Sequence, residues 1–496
     1  MIFVILILGF LLRLISLNQS FWHDEATSAL VARDFSVAEI LAQFSPGDFH
    51  PPLYYLILHF FIQVFGTSEV AIRMLSVLFG VATIWVVFLI GKILIEQINW
   101  KLEIGNWKFP EVAALFLATS GLHIYYSQEA RMYVPAVFFT TLSVLFFLKI
   151  IKAKKQQASD WVGLVIVSTL LLYTDYLPVF LFLFFALYLL VFERKHLKKS
   201  VTNWLLATIA ILFLFLPWVP ILFGQLAAGL GVQMTNPQWW NVLGGTNVKE
   251  LALVPIKFMI GRISAENSVL YAALLVIPTV LFASVFLKSV TLWQRTSFLW
   301  VWFTLPILAV ALVGLKVSVF SYFRLIFLLP PFYLLAAFGA LSFKNSKVRL
   351  IMVVGLLLVN IVSSGIYLFN SRFQREDWRG AVSFIEQKAT PGVLVLFESK
   401  SVMPGFSWYS KGIVDGVGGL NPGLDQIIKE REQIFVFQYL VEINDPEGVV
   451  EKTLDEKGFV KVATYNFRGV GFVFEYERGV QLTQDEDWNR YFANSL

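Results

Sequence analysis

The chain contains no cysteine. Disulfides, thiolate metal sites and cysteine nucleophiles are thereby excluded. Charge is scarce as well: Asp, Glu, Lys and Arg make up 15% of the residues, against about 25% in soluble globular domains. No internal repeat and no low-complexity stretch is visible. Residues 2–17 have no basic n-region and no Ala-x-Ala site, and Arg13 interrupts their late part, so they read as a retained span rather than a cleaved leader. Apolar sequence takes the place of charge. Of the 496 residues 57% are hydrophobic, and the mean hydropathy is +0.70.

Apolar runs recur to residue 369, and most reach the roughly 17–25 residues needed to cross a bilayer as helix. Eleven spans are predicted, at 2–17, 70–95, 111–126, 132–151, 161–174, 177–193, 203–223, 268–287, 297–315, 322–343 and 348–369, with 250–263 interfacial. Lys92, Lys101, Lys108, Lys149, Lys152, Lys154, Lys155, Arg194 and Lys195 are among the basic residues that then crowd one set of loops. The positive-inside rule puts those loops in the cytoplasm of a plasma (inner) membrane protein. It puts the loop 18–69 and everything after residue 370 outside. The basic excess belongs to the inner loops, so nucleic acid is not implied as a partner.

Composition changes after Asn370, where Arg372, Arg375, Glu376, Asp377 and Arg379 fall close together. Residues 371–496 read as a non-cytoplasmic soluble α/β domain, and 1–370 as the membrane domain. Strands are predicted at Val393–Phe397, Ile434–Tyr439, Phe459–Tyr465 and Val470–Tyr476, with helices over 376–388, 422–432 and 446–457. Gly416-Val417-Gly418-Gly419 lacks the strand-to-helix setting of a phosphate loop. Asp485-Glu486-Asp487 resembles an Asp-x-Asp pattern in letters only and reads as a solvated acidic tail.

The long outer loop holds the most informative pair, Asp24-Glu25, just after the first span. A short helix over Glu25–Arg33 follows, with Asp24 as a plausible N-cap worth about 1 kcal/mol. Ser36-Val37-Ala38-Glu39 fits a capping box ahead of a second short helix. His50-Pro51-Pro52 then predicts extended backbone before a further apolar run. Arg131, beside Glu129, and Arg324 lie at outer ends of spans, where snorkelling to headgroups and pairing with Glu129 are the plain alternatives to a site. Asp175, Lys257 and Arg262 are secondary candidates on the same face.

Carboxylates and cations together at a bilayer surface suit one kind of chemistry. A lipid-linked phosphate needs cations to bind it and to stabilise charge as it departs. An attacking hydroxyl needs a base. With a polyprenyl-phosphate sugar as donor, Asp24 would take the acceptor's proton, and His50, Arg131 and Arg324 would hold the phosphate. A single displacement through an oxocarbenium-like transition state inverts the anomeric centre.

The chain resembles the polytopic GT-C glycosyltransferases of the protein-O-mannosyltransferase and aminoarabinose-transferase type, and among them glycosyltransferase family 39. The resemblance rests on Trp22-His23-Asp24-Glu25-Ala26, His50-Pro51-Pro52-Leu53-Tyr54 and Tyr126-Ser127-Gln128-Glu129-Ala130-Arg131-Met132-Tyr133. Weaker matches are Tyr173-Thr174-Asp175-Tyr176, Tyr322-Phe323-Arg324 with Pro330-Pro331, and Glu376-Asp377-Trp378-Arg379-Gly380. It implies a GT-C membrane fold, a polyprenyl- or dolichyl-phosphate sugar donor of the undecaprenyl type, a glycan, lipid or protein acceptor, and catalysis on the non-cytoplasmic face. By position Asp24 matches the catalytic acidic residue and Glu25 its companion. His50 stands where some relatives have lysine, and Arg131 matches the arginine of the Glu-Ala-Arg motif. Some relatives carry a divalent metal here, for which Asp24, Glu25 and His50 are the candidate ligands. The rival reading is a secondary transporter or lipid flippase, which predicts repeats and ionisable residues at the bilayer midplane.

Overall fold

A computed structural model describes residues 1–98, 101–153, 156–192, 197–235, 244–390, 392–419 and 423–479. Asp485-Glu486-Asp487 and the inner-loop residues Lys154, Lys155, Arg194 and Lys195 lie outside them. The chain divides into two compact units. One comprises Met1–Leu17, Ser36–Gly66 and Val70–Phe373; the other comprises Asn18–Phe35, Thr67–Glu69 and Gln374–Leu496.

The first unit is helical and makes this a multi-pass membrane protein. Among the described residues, six helices are long and apolar enough to cross a bilayer: Glu69–Glu96, Tyr133–Lys152, Val201–Val232, Ser268–Val290, Trp293–Val313 and Ser346–Phe369. Ile2–Leu14, Leu53–Phe65, Phe109–Thr119, Ala158–Leu172, Leu177–Val191 and Ile326–Leu341 are apolar but shorter. Each of the eleven predicted spans coincides with one of these helices, though 111–126 is broken into Phe109–Thr119 and Gly121–Ser127. Leu53–Phe65 is a helix that the reading of 18–69 as one loop did not separate. Pro52 has helical angles and caps it, so the expected extended stretch ends one residue earlier.

The break at Ser120 has a physical support. A broken helix in apolar surroundings must find partners for its freed carbonyls. Asn360 Nδ2 donates to Phe116 O at 2.9 Å, and Ser364 Oγ donates to Thr119 O at 2.7 Å. Arg13, fully buried, braces the same region: Nε donates to Ser127 Oγ at 3.0 Å, and Nη1 donates to Gly9 O at 2.7 Å and Ala118 O at 3.1 Å. Gly80 allows this approach, since a Cβ there would stand 2.3 Å from Ser127 Oγ. These contacts fix where Tyr126–Arg131 leaves the bilayer-crossing helices. β1 (Glu103–Ile104) and β2 (Trp107–Lys108) form a small antiparallel hairpin on this unit.

In the second unit β3 (Leu394–Phe397), β4 (Asp415–Gly418), β5 (Gln433–Phe437), β6 (Phe459–Phe467) and β7 (Gly471–Arg478) form one sheet, ordered β4-β3-β5-β7-β6. β3 pairs parallel with β4 and β5, while β7 runs antiparallel to β5 and β6. Every residue of β3 and β5 is buried, the pattern of central strands covered on both faces. Val395, Phe397, Phe435 and Phe437 face the Trp378–Lys388 helix; Leu394, Leu396, Ile434 and Val436 pack with Val450 and Leu454 of the Val449–Glu456 helix. Trp378, fully buried, stacks on Phe437 with ring centroids 5.4 Å apart. The expected strands and helices are all present, and Gly416–Gly418, where no strand was predicted, belongs to β4. Its glycines leave room for neighbours: a Cβ on Gly416 would meet Phe406 at 2.4 Å.

Candidate active site

The first unit gathers charge where its helices end. The loop 45–52 carries Asp48 and His50, the Leu53–Phe65 helix carries Tyr55, and Arg131 stands just before the Tyr133–Lys152 helix. Tyr55 Oη donates to Asp48 Oδ2 at 2.6 Å, and Arg131 Nη1 donates to Tyr55 Oη at 3.1 Å. His50 Nδ1 lies 3.4 Å from both Asp48 Oδ1 and Arg131 Nη2. One nitrogen cannot donate to the first and accept from the second at once. Beside a carboxylate the Nδ1–H form is favoured, which leaves Nε2 for a ligand. Burial alone would raise the Asp48 carboxyl, but the His50 and Arg131 charges and the Tyr55 hydroxyl outweigh it and hold it well below the usual carboxylate range.

Around this core the other candidates divide. Asp175 accepts from Leu177 N at 2.9 Å and lies within electrostatic reach of His50 and Arg324; burial pushes its carboxyl up against their pull. Arg324 Nη1 donates to Ser318 O at 2.6 Å. Gln225 ties the loop down by donating to Ser45 O at 2.6 Å and accepting from Tyr176 Oη at 2.5 Å. Arg262 donates to Tyr125 Oη at 2.6 Å, with its guanidinium 4.7 Å from that ring's centroid, and shares an electrostatic neighbourhood with Glu129. Lys257 donates to Ile263 O at 2.7 Å and to Tyr271 Oη at 3.3 Å. Its partners fit a lysine that closes the turn after the Val248–Ile260 helix.

The second unit holds Asp24 and Glu25. The helix runs His23–Asp34, so Asp24 sits inside its first turn and is not the N-cap; that place falls to Trp22, whose side chain accepts no capping bond. Glu25 is fully buried, with Oε2 3.7 Å from Arg375 Nε and 3.4 Å from Trp22 N. The approach to the helix is held throughout. Arg375 N donates to Gln19 Oε1 at 2.9 Å, Arg379 N to Ser20 Oγ at 3.0 Å, and Phe21 N to Tyr409 Oη at 2.7 Å. Glu376 accepts from His23 N at 3.2 Å, Trp378 Nε1 at 2.7 Å and Tyr439 Oη at 3.0 Å. Burial pushes the Glu376 carboxyl up to about 7 against these donors, and the Asp24 charge adds to the rise.

Sequence reasoning placed His50 and Arg131 together, and they are together. It missed Asp48 and Tyr55, although a carboxylate two residues before His50 and a tyrosine shortly after the Pro-Pro pair were available signals. Glu376 was seen only as part of a motif. Among the described residues, no group of three or more His, Cys, Asp or Glu is placed to hold a metal ion. His50 belongs to one unit, and Asp24 and Glu25 to the other.

The family model for dolichyl-phosphate-mannose-protein mannosyltransferase matches residues 49–221, which include His50, Tyr55, Glu129, Arg131 and Asp175. Compared by sequence with the curated proteins, the chain matches none. Among solved structures it is similar to ArnT from Cupriavidus metallidurans in the apo state, with a TM-score of 0.58 and 13% identity over 96% of this chain and 98% of that one. The same protein bound to undecaprenyl phosphate gives a TM-score of 0.55 at 13% identity, with the same coverage. The archaeal oligosaccharyltransferase AglB from Archaeoglobus fulgidus, in complex with an inhibitory peptide and a dolichol-phosphate, gives 0.52 at 12% identity over 95% of this chain and 74% of that one. At such identities the likeness establishes the fold. The chain has the GT-C glycosyltransferase fold, polytopic and α-helical with a C-terminal α/β domain.

Proposed function

We propose that the protein is a membrane glycosyltransferase that moves a sugar from a polyprenyl-phosphate donor to an acceptor hydroxyl on the non-cytoplasmic face. The observation that carries this reading is the Arg131–His50 pair, inside the segment that matches a mannosyltransferase family model and braced by Tyr55 within it and by Asp48 just before it. Proteins of the same fold bound to undecaprenyl phosphate and to a dolichol-phosphate support the donor class.

Arg131 binds the donor phosphate, protonated His50 donates to it from Nε2 while Nδ1–H faces Asp48, and Arg324 adds positive potential. Charge-assisted bonds of this kind strengthen as the phosphate takes up the electrons of the breaking bond. Asp24 takes the proton of the acceptor hydroxyl as its oxygen attacks the anomeric carbon. The new bond joins acceptor oxygen to that carbon, the bond to the phosphate oxygen breaks, and undecaprenyl phosphate leaves. Configuration inverts in this single step. Glu25, buried against Arg375, holds the segment in place.

The test uses the full chain in phosphatidylglycerol vesicles with an undecaprenyl-phosphate sugar. Asp24→Asn is expected to slow transfer by about 10²–10⁴-fold, the span of a lost general base. Binding of undecaprenyl phosphate should stay within about two-fold of the parent, because a lost base removes no phosphate contact. Transfer at the parent rate in this variant would remove the assignment of Asp24 as base.

A further inference from the structure

The residue that opens the Asp24 helix is capped from far along the chain. The first N–H groups of a helix have no partner within it. Trp22, at the N-cap, brings no acceptor, and the N–H of His23 donates instead to Glu376, 353 positions away. A carboxylate there also faces the positive end of the helix dipole. Asp24 is the very next residue.

Glu376 is itself tightly located. The Trp378 indole N–H donates to one of its oxygens and the Tyr439 hydroxyl to the other. Asp377 N donates to Arg468 O at 2.8 Å, tying the stretch to the turn between β6 and β7. In that turn Gly469 has φ +73°, and a Cβ on it would stand 2.8 Å from Glu376 Cγ. The carboxylate is thus fixed by an indole, a phenol and a glycine turn before it touches the helix. A group with a purely local role would not need so many constraints.

We infer that Glu376 is the positioning residue for Asp24: its carboxylate anchors the first turn of the His23–Asp34 helix and so sets the direction from which the proposed base meets the acceptor hydroxyl. The inference rests on the reading of Asp24 as base. It gives the opening of the α/β domain a part in catalysis without contact with the reacting atoms. Glutamine can keep the arrangement, its carbonyl accepting from His23 and Trp378 while its amide donates to Tyr439 Oη. Alanine cannot.

The experiment compares Glu376→Ala and Glu376→Gln in the full chain in phosphatidylglycerol vesicles, following undecaprenyl phosphate released from undecaprenyl-phosphate mannose. Hydrogen–deuterium exchange of residues 18–34 is read in the same samples. Glu376→Ala should lower kcat by about 10²-fold, the cost of a small misplacement of a catalytic group, with KM for the donor within about three-fold of the parent. Glu376→Gln should restore kcat to within about five-fold of the parent, since it keeps the hydrogen bonds that fix the geometry. Exchange at His23–Ala26 should quicken in the alanine variant alone. An unchanged kcat in Glu376→Ala, a glutamine variant no better than alanine, or unchanged exchange would each overturn the inference. Asp24→Asn separates the two ideas: if it transfers sugar at the parent rate, the base assignment falls, while the exchange data still report whether Glu376 holds the helix. If neither variant folds, Tyr439→Phe removes one of the bonds that locate Glu376 and should reproduce part of the kcat loss with KM unchanged.

Discussion

The two units handle buried charge in opposite ways. In the membrane unit, Asp48 and His50 keep part of their surface open (16% and 23% of each side chain). His50 lies 3.4 Å from both Asp48 and Arg131, so that an arginine and a histidine stand beside one carboxylate. In the α/β unit, Glu25 and Arg375 are closed off from solvent, and Glu376 is saturated with donors. A cluster left partly open, with loose internal bonds and N–H donors at its edge, can still take an anion. A cluster closed to solvent can only hold its neighbours still. On the proposed function, the open cluster meets the substrate and the closed one places the residues that act on it.

The sharpest way to break that contrast is at Arg131. Arg131→Ala should cost about 2.7–4 kcal/mol of transition-state stabilisation, or roughly 10²–10³-fold in transfer, and weaken undecaprenyl-phosphate binding; Arg131→Lys keeps the charge but loses the planar fork. A parent-like rate and affinity in Arg131→Ala would make the open cluster merely structural.

Glu398 sharpens the other side. It follows β3, is 1% exposed, and neither of its carboxylate oxygens has a hydrogen-bond partner among the described residues. Burial pushes its carboxyl up to about 8, and the Asp445 and Glu451 charges add to the rise. A raised acid binds more protons folded than unfolded, so its contribution to stability is present below about 4.5 and is lost as pH climbs to about 8. Glu398→Gln should remove that slope and raise the stability of the α/β unit at pH 8 by roughly 2–4 kcal/mol. Thermal melts at pH 5 and pH 8 check it; an unchanged difference between the two would refute the assignment.

The smallest effect is expected at Tyr55, whose hydroxyl joins Asp48 to Arg131. Tyr55→Phe should cost about 1 kcal/mol, roughly five-fold in kcat/KM. A loss as large as that of Arg131→Ala would mean the hydroxyl itself meets the substrate.

Much of this was readable in advance because it depends on neighbours in sequence. The apolar runs, the Ser36–Glu39 capping box and a short helix over Glu25–Arg33 all follow from local pattern, and in the structure Ser36 N donates to Glu39 Oε2 at 2.8 Å as a capping box requires. Asp24 was harder. Spacing suggested a cap, yet the helix begins two residues earlier, where a distant carboxylate satisfies the His23 N–H. β4 was missed since two glycines in four residues argue against a strand unless a neighbouring strand and Phe406 occupy the space.

What the order of residues determined by itself was the class of molecule. Few charges and long apolar stretches leave no soluble alternative, and cations at the ends of those stretches follow from the cost of burying them deeper. Only the tertiary structure decided which of those charges act as one. His50 and Arg131, which precede the Leu53–Phe65 and Tyr133–Lys152 helices, come within 3.4 Å across 81 positions, and residues 18–35 cluster with Gln374–Leu496 because donors and acceptors hundreds of residues apart satisfy one another. Pairings of that range carry no local signature, since buried polar groups accept whichever partner the fold delivers.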